Sequence, residues 1–270
     1  MEVVIGARPE LAVLAADAVE RLLRARPDAV LGLATGSTPG DVHDELVRRH
    51  AAGLSFARAR AFLLDEYVGL PDEHPERYRT VIDREFTGRV DFDRAAVAGP
   101  DGSADDLPGA CASFEAIIAA AGGVDLQVLG IGTDGHVPFN EPGSSLASRT
   151  RIKTLTEQTR QDNARFFDGA PAAVPRHVLA QGLGTIMDAR HLVLLAMGRG
   201  KAEAVHQLVD GAECPLARDG TPSAPPRHGA PRRGRRRPAA ARRSLPADLA
   251  AQAAVAGALG CVARYVGRNH

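Results

Sequence analysis

The chain has 270 residues, of which 44% are hydrophobic, and its 33 Lys and Arg are balanced by 33 Asp and Glu. That length admits one large α/β domain or two small ones around a sizeable core, and the balanced charge argues against nucleic acid or an anionic membrane as partner. The opening MEVVIGARPELAVLAADAVERLL mixes acids among its apolar residues, unlike a signal peptide, and no apolar run reaches the roughly 18 residues of a membrane helix.

Three scattered cysteines, Cys111, Cys214 and Cys261, give neither a disulfide framework nor a zinc spacing, so a reducing cytoplasm is the expected compartment. In chain order, VVIG reads as a short strand, and PELAVLAADAVERLLRA as a helix with Pro9 in its first turn. AVLGLATG (29–36) is a continuous apolar run ending in glycine, which predicts a buried strand; STPGDVHDELVRRHAAG follows as turn and helix. RAFLLDEY predicts one more buried strand with acids at its end. HPERYRTVIDREF and ACASFEAIIAAAGG are helical, VDLQVLGIG and RHLVLLAMG are strands, and KAEAVHQLVDG is a helix. Strands alternating with helices predict a Rossmann-like, mostly parallel sheet with helices on both faces, and ligands at the strand C-termini.

Past Gly211 the character changes. Between Arg218 and Arg243 lie nine arginines and five prolines, with Asp219 the only acid. A helical pattern returns as the Ala-rich SLPADLAAQAAVAGALGCVARYV. The expected organisation is an α/β domain over 1–211 and a divergent tail over 212–270.

Three strand ends carry the chemistry. The first, ATGSTP, places Thr35, Gly36, Ser37 and Thr38 between a strand and a helix, where free backbone N–H groups and the helix dipole suit an anion. It matches neither a Walker A loop nor a dinucleotide fingerprint, and alone it reads equally well as a plain turn. The second brings Asp65 and Glu66, which a helix N-cap or a solvated loop would also explain. The third, LGIGTDGHVPFNEPGSS, packs Asp134, His136 and Glu141 among glycines. An imidazole between carboxylates suits a proton shuttle; a structural His–Asp pair or a divalent-metal site is the alternative, although no second histidine sits at ligand spacing.

The stretches LDEYVGLPDEHPERY, GIGTDGHVPFNEPGSSLASRTRIKTLT and RFFDG resemble the glucosamine-6-phosphate deaminase (isomerase) family, over about 31–211. The resemblance implies a Rossmann-like fold and conversion of glucosamine 6-phosphate and water to fructose 6-phosphate and ammonia, with no cofactor and no catalytic metal. It implies that His136, with Asp134 and Glu141, shuttles the proton that opens the pyranose, and that Asp65 is the base moving a proton from C2 to C1. It implies a phosphate site of Thr35 to Thr38, Arg165 and Lys201. Part of the family has a second site, for the activator N-acetylglucosamine 6-phosphate between subunits of a homo-hexamer, and Ser144, Ser145, Arg151, Lys153 and Thr154 match its pattern, with a solvated basic turn as the alternative.

Two departures from the family pattern stand out. Pro138 occupies a position usually held by glycine or alanine, removing an N–H and fixing φ. The tail replaces the family's last strands with CPLARDGTPSAPPRHGAPRRGRRRPAAARRSL, which reads as a frameshifted GC-rich gene. If Arg233–Arg236 is encoded CGT GGT CGA CGA, a one-base shift reads Val-Val-Asp followed by Asp or Glu, the family's ending. The shift is expected between about Gly211 and Ser223, with the sheet left short of its C-terminal strands, stability lowered and assembly impaired. The alternatives are a 6-phosphogluconolactonase-like hydrolase, which needs no base at Asp65, and a sugar-phosphate-binding protein without turnover. A nucleic-acid-binding protein would rest on the basic tail alone.

Overall fold

The structure, a computed structural model, describes residues 2–141 and 143–210 and the backbone of 259–266. Most of the tail therefore lies outside the described residues, including the proposed shift region. β1 (Glu2–Ala7) leads into α1 (Arg8–Ala25), then β2 (Val30–Leu33), α2 (Ser37–Ala51), β3 (Arg60–Leu63) and β4 (Asp65–Tyr67). α3 (Tyr78–Glu85), β5 (Val97–Ala98), α4 (Leu107–Ala120) and β6 (Leu126–Gly130) follow. The chain continues through β7 (Arg151–Thr154), α5 (Glu157–Asn163), β8 (His177–Ala180), α6 (Leu183–Met187), β9 (His191–Met197) and α7 (Ala202–Asp210) to β10 (Leu259–Val266).

The main sheet has seven strands in the order β1-β10-β9-β6-β2-β3-β5. β9, β6, β2, β3 and β5 run parallel. The strands are buried on both faces because their side chains alternate between two cores. Leu31, Leu33, Val193 and Leu195 face the core closed by α1, α2 and α3. Val30, Leu192, Leu194 and Ala196 face the one closed by α4, α6 and α7. A near-continuous apolar run is what a doubly covered parallel strand requires, so helices do lie on both faces.

Three expectations change. RAFLLDEY is two strands: after Leu63 the chain bends at Leu64, and β4 joins a separate antiparallel sheet, β4-β8-β7. That second sheet has a core of its own, with Tyr67, Phe139, Phe167 and Val178. The Ala-rich segment is helical by pattern, yet Leu259–Val266 forms β10, antiparallel to both β1 and β9. A gap between two strands offers unpaired backbone on each side, and LGCVARYV carries β-formers at Val262, Tyr265 and Val266. The sheet is therefore filled at this position, where the frameshift reading leaves it short.

Candidate active site

β2 is followed in the sheet by β3 and β5 on one side, after which the chain returns to β6 and β9 on the other. The switch point thus falls between β2 and β6, and an open parallel sheet binds ligands in the crevice there. The 35–38 loop leaves β2 and the 131–141 loop leaves β6, so they flank this crevice. Asp65 follows β3, and Gly198–Lys201 follows β9. These four segments, carrying Thr35 to Thr38, Asp65, Asp134 to Glu141 and Lys201, leave adjacent strand ends.

The loop after β6 closes on itself. The Gly132 N–H donates to the His136 carbonyl at 2.8 Å, and Gly135 turns the chain at φ 90°. Asp134 Oδ1 accepts from the His136 backbone N–H at 3.1 Å and lies 2.6 Å from its Nδ1. A Cβ on Gly132 would overlap both His136 Nδ1 and Asp134 Oδ1, so only glycine allows the pair to fold over it. Burial alone would push the Asp134 carboxyl up, but the His136 backbone N–H, charge and ring together hold it below its ordinary value. An ionised Asp134 fixes the proton on Nδ1 and leaves Nε2 for chemistry.

Pro138 fits this loop. Val137 and Asn140 exchange both backbone hydrogen bonds, at 3.2 and 2.8 Å, across a two-residue turn of Pro138 and Phe139. Phe139 adopts φ 52°. Proline second and positive φ third is the arrangement of a type II turn, so the missing N–H costs nothing here. Phenylalanine at positive φ is strained; its ring stacks with His136 and with Tyr78. Glu141 follows, half-buried, and its carboxylate has no partner among the described residues.

Asp65 is 8% exposed, and its carboxyl accepts no hydrogen bond from the described residues. Burial, then the neighbouring Glu66 carboxylate, push it well above the usual carboxylate range. Glu66 has a different task. Its oxygens accept the backbone N–H groups of Tyr67, Tyr78 and Arg79 at 2.9, 3.0 and 3.0 Å, which caps α3. The N-cap position of α3 is Arg77 and Glu66 serves the helix start from β4, so neither acid is an N-cap residue, and Asp65 is the acid with unspent oxygens.

α2 begins after Gly36 (φ 103°) with no side-chain cap, so its first N–H groups remain free for an anion. Arg8 steadies this turn by donating to the Ser37 carbonyl at 2.8 Å. Lys201 is half-buried; burial lowers its pKa, with Asp134 and Asp162 acting against that and Arg165 acting with it. Lys201 is thus under the influence of charges from the His136 loop and from the 162–165 segment. Arg165 is exposed, its guanidinium 4.7 Å above the Phe166 ring.

The five remaining residues come together only in part. Arg151 and Lys153 share the half-buried face of β7, while Thr154 lies on the exposed face and meets His177 Nδ1 at 3.2 Å. Ser145 Oγ accepts the Ala147 N–H at 3.3 Å; Ser144 is half-buried in the same segment. Arg151 Nη2 donates to Asn140 Oδ1 at 2.8 Å, a contact with the His136 loop that spacing could not reveal. Asn140 and Gln181, both buried, were invisible as site residues: nothing in a lone buried amide announces its partners. Among the described residues no group of three His, Cys, Asp or Glu is arranged to hold a metal ion.

The family model described as glucosamine-6-phosphate isomerases/6-phosphogluconolactonase matches residues 7–224. A glucosamine-6-phosphate deaminase of Mycolicibacterium smegmatis is 69% identical over 214 residues, 78% of this chain and 82% of that protein. The Beutenbergia cavernae deaminase is 68% identical with the same coverage. A solved structure of a monomeric glucosamine-6-phosphate deaminase has a TM-score of 0.75 at 40% identity, covering 78% of this chain and 88% of that one. A 6-phosphogluconolactonase from Thermotoga maritima, at 19% identity, TM-score 0.61 and coverage of 78% and 89%, shares the fold. The chain belongs to the glucosamine-6-phosphate isomerase/6-phosphogluconolactonase family.

Proposed function

We propose that the chain converts glucosamine 6-phosphate and water to fructose 6-phosphate and ammonia, in the cytoplasm. Asp65 carries this reading: a buried carboxyl with free oxygens and a raised pKa, at a strand end beside the shuttle loop, is what C2 proton abstraction needs. His136, oriented by Asp134, moves the proton between the anomeric hydroxyl and the ring oxygen, and Glu141 completes that relay. The opened sugar presents its C2 proton to Asp65. The enolamine formed takes a proton at C1, water adds to the resulting C2 imine, and ammonia leaves. The free N–H groups at the start of α2, with Arg165 and Lys201, hold the phosphate.

Lactone hydrolysis is the other chemistry found on this fold, and it has no use for a carbon base at Asp65. The deciding assay offers the purified chain both substrates. Ammonia and fructose 6-phosphate from the amino sugar, without hydrolysis of 6-phosphogluconolactone, support the deaminase; the reverse result overturns it.

The activator site belongs to the same proposal: Ser144, Ser145, Arg151, Lys153 and Thr154 receive N-acetylglucosamine 6-phosphate, and the Arg151–Asn140 bond is its link to the His136 loop. The 40%-identical relative is described as monomeric, so the hexamer is tested separately, by light scattering with and without the activator.

A further inference from the structure

We infer that Gln181 and Asn140 form a clamp that sets the distance between the Asp65 arm and the His136–Glu141 loop; both act as positioning residues. The inference rests on the deaminase reading for its effect on turnover, while the clamp itself is a matter of geometry.

Gln181 is fully buried at the end of β8, and it grips the strand just before Asp65 at two points. Its backbone N–H donates to the Leu64 carbonyl at 2.8 Å, and its side-chain Nε2 donates to the Leu63 carbonyl at 3.0 Å. These carbonyls flank the bend where the chain leaves the main sheet and becomes β4. On its other side the Gln181 carbonyl accepts Asn140 Nδ2 at 2.8 Å. The same Nδ2 donates to the Pro138 carbonyl at 2.9 Å, and Asn140 Oδ1 takes Arg151 Nη2 at 2.8 Å. Both polar atoms of the Asn140 amide are thereby engaged, one residue before Glu141 and one after the strained Phe139. Two catalytic segments far apart in sequence are joined by one continuous set of hydrogen bonds.

One atom shows what the clamp is for. Gln181 Oε1 is buried without a partner. An orphaned buried carbonyl disfavours the fold, and an apolar side chain of similar length would avoid it. Glutamine here makes one buried bond, to the Leu63 carbonyl, and leaves one buried acceptor unmet, so the two effects on stability oppose each other and the contact itself points to a requirement of the site. Two reacting groups must act on neighbouring carbons, and an error of about 1 Å in such placement costs on the order of 100-fold in rate.

The test is Gln181→Met, which keeps both backbone bonds and removes only the Leu63 contact and the orphaned oxygen. The expected result is a melting temperature within a few degrees of that of the unaltered protein, since the lost Leu63 bond and the removed unpaired oxygen act in opposite directions, with kcat for ammonia release down about tenfold or more and KM within about threefold, since the phosphate groups are untouched. Unchanged kcat, or activity lost only in step with stability, overturns the clamp. A second variant, Asn140→Ala, is read by the His136 ring resonances in NMR, which need no turnover. The clamp predicts that Phe139 relaxes and its ring-current effect on His136 shifts; a folded variant with unmoved resonances overturns it. Should the unaltered protein release no ammonia, the deaminase reading falls, and the His136 resonances still judge the clamp.

Discussion

Acidification should weaken this protein through a histidine far from the chemistry. His43 on α2 is 2% exposed, neither ring nitrogen has a hydrogen-bond partner, and its ring stacks on Phe86 at 4.8 Å. Burial lowers its pKa to about 4 from 6.5. The unfolded chain takes up this proton as pH falls through 6.5, whereas the folded chain resists until about 4. Stability is therefore intact above the upper value and is lost across that window. In full the gap is worth about 3.4 kcal/mol, and between pH 7 and pH 5 about 1.8 kcal/mol. Asp65 and Glu66, whose pKa values are raised, act in the opposite sense, because their folded forms bind protons more readily. The clean quantity is thus a difference. Urea unfolding of the unaltered chain and of His43→Leu, at pH 7 and pH 5, should show the variant losing about 1.8 kcal/mol less. Equal losses in the two proteins would refute the reasoning.

Three further outcomes are expected. Gly132→Ala should displace His136 from Asp134 and lower kcat by on the order of 100-fold; a fully active variant would contradict the close approach. Lys201→Met should raise KM for the sugar phosphate by roughly 10-fold to 100-fold, the loss of one charge-assisted hydrogen bond, and steady-state kinetics with unchanged KM would remove Lys201 from the phosphate site. The genomic DNA should contain a one-base change between about Gly211 and Ser223 whose correction restores an apolar strand ending in Val-Val-Asp, and resequencing that finds no such shift ends the frameshift proposal.

The main sheet was legible because buried parallel strands such as VLGL and HLVLLAM are continuous apolar runs bounded by glycine. The second sheet was not. RIKT and HVLA are four residues each, the first with polar residues interleaved, and strands that short carry little periodicity. That sheet explains why Asp65 and Glu66 diverge in role: past the bend at Leu64 they are successive residues of β4 and face opposite ways, and Glu66 reaches the start of α3. The Asp134–His136 pair was readable because both partners lie within three residues of each other. The Asn140–Gln181 contact joins residues 41 positions apart, and nothing local encodes it. β10 was misread because alanine and leucine favour a helix, and the slot between β1 and β9 overrides that preference.

The most direct test of the account is ammonia release from glucosamine 6-phosphate, with loss of the C2 proton to solvent followed in parallel, for the unaltered chain and for Asp65→Asn. The account predicts release and C2 exchange together in the unaltered chain. In the variant, which should still bind the sugar phosphate, both should be lost. Release or C2 exchange that persists in Asp65→Asn would contradict the assignment of Asp65 as the base.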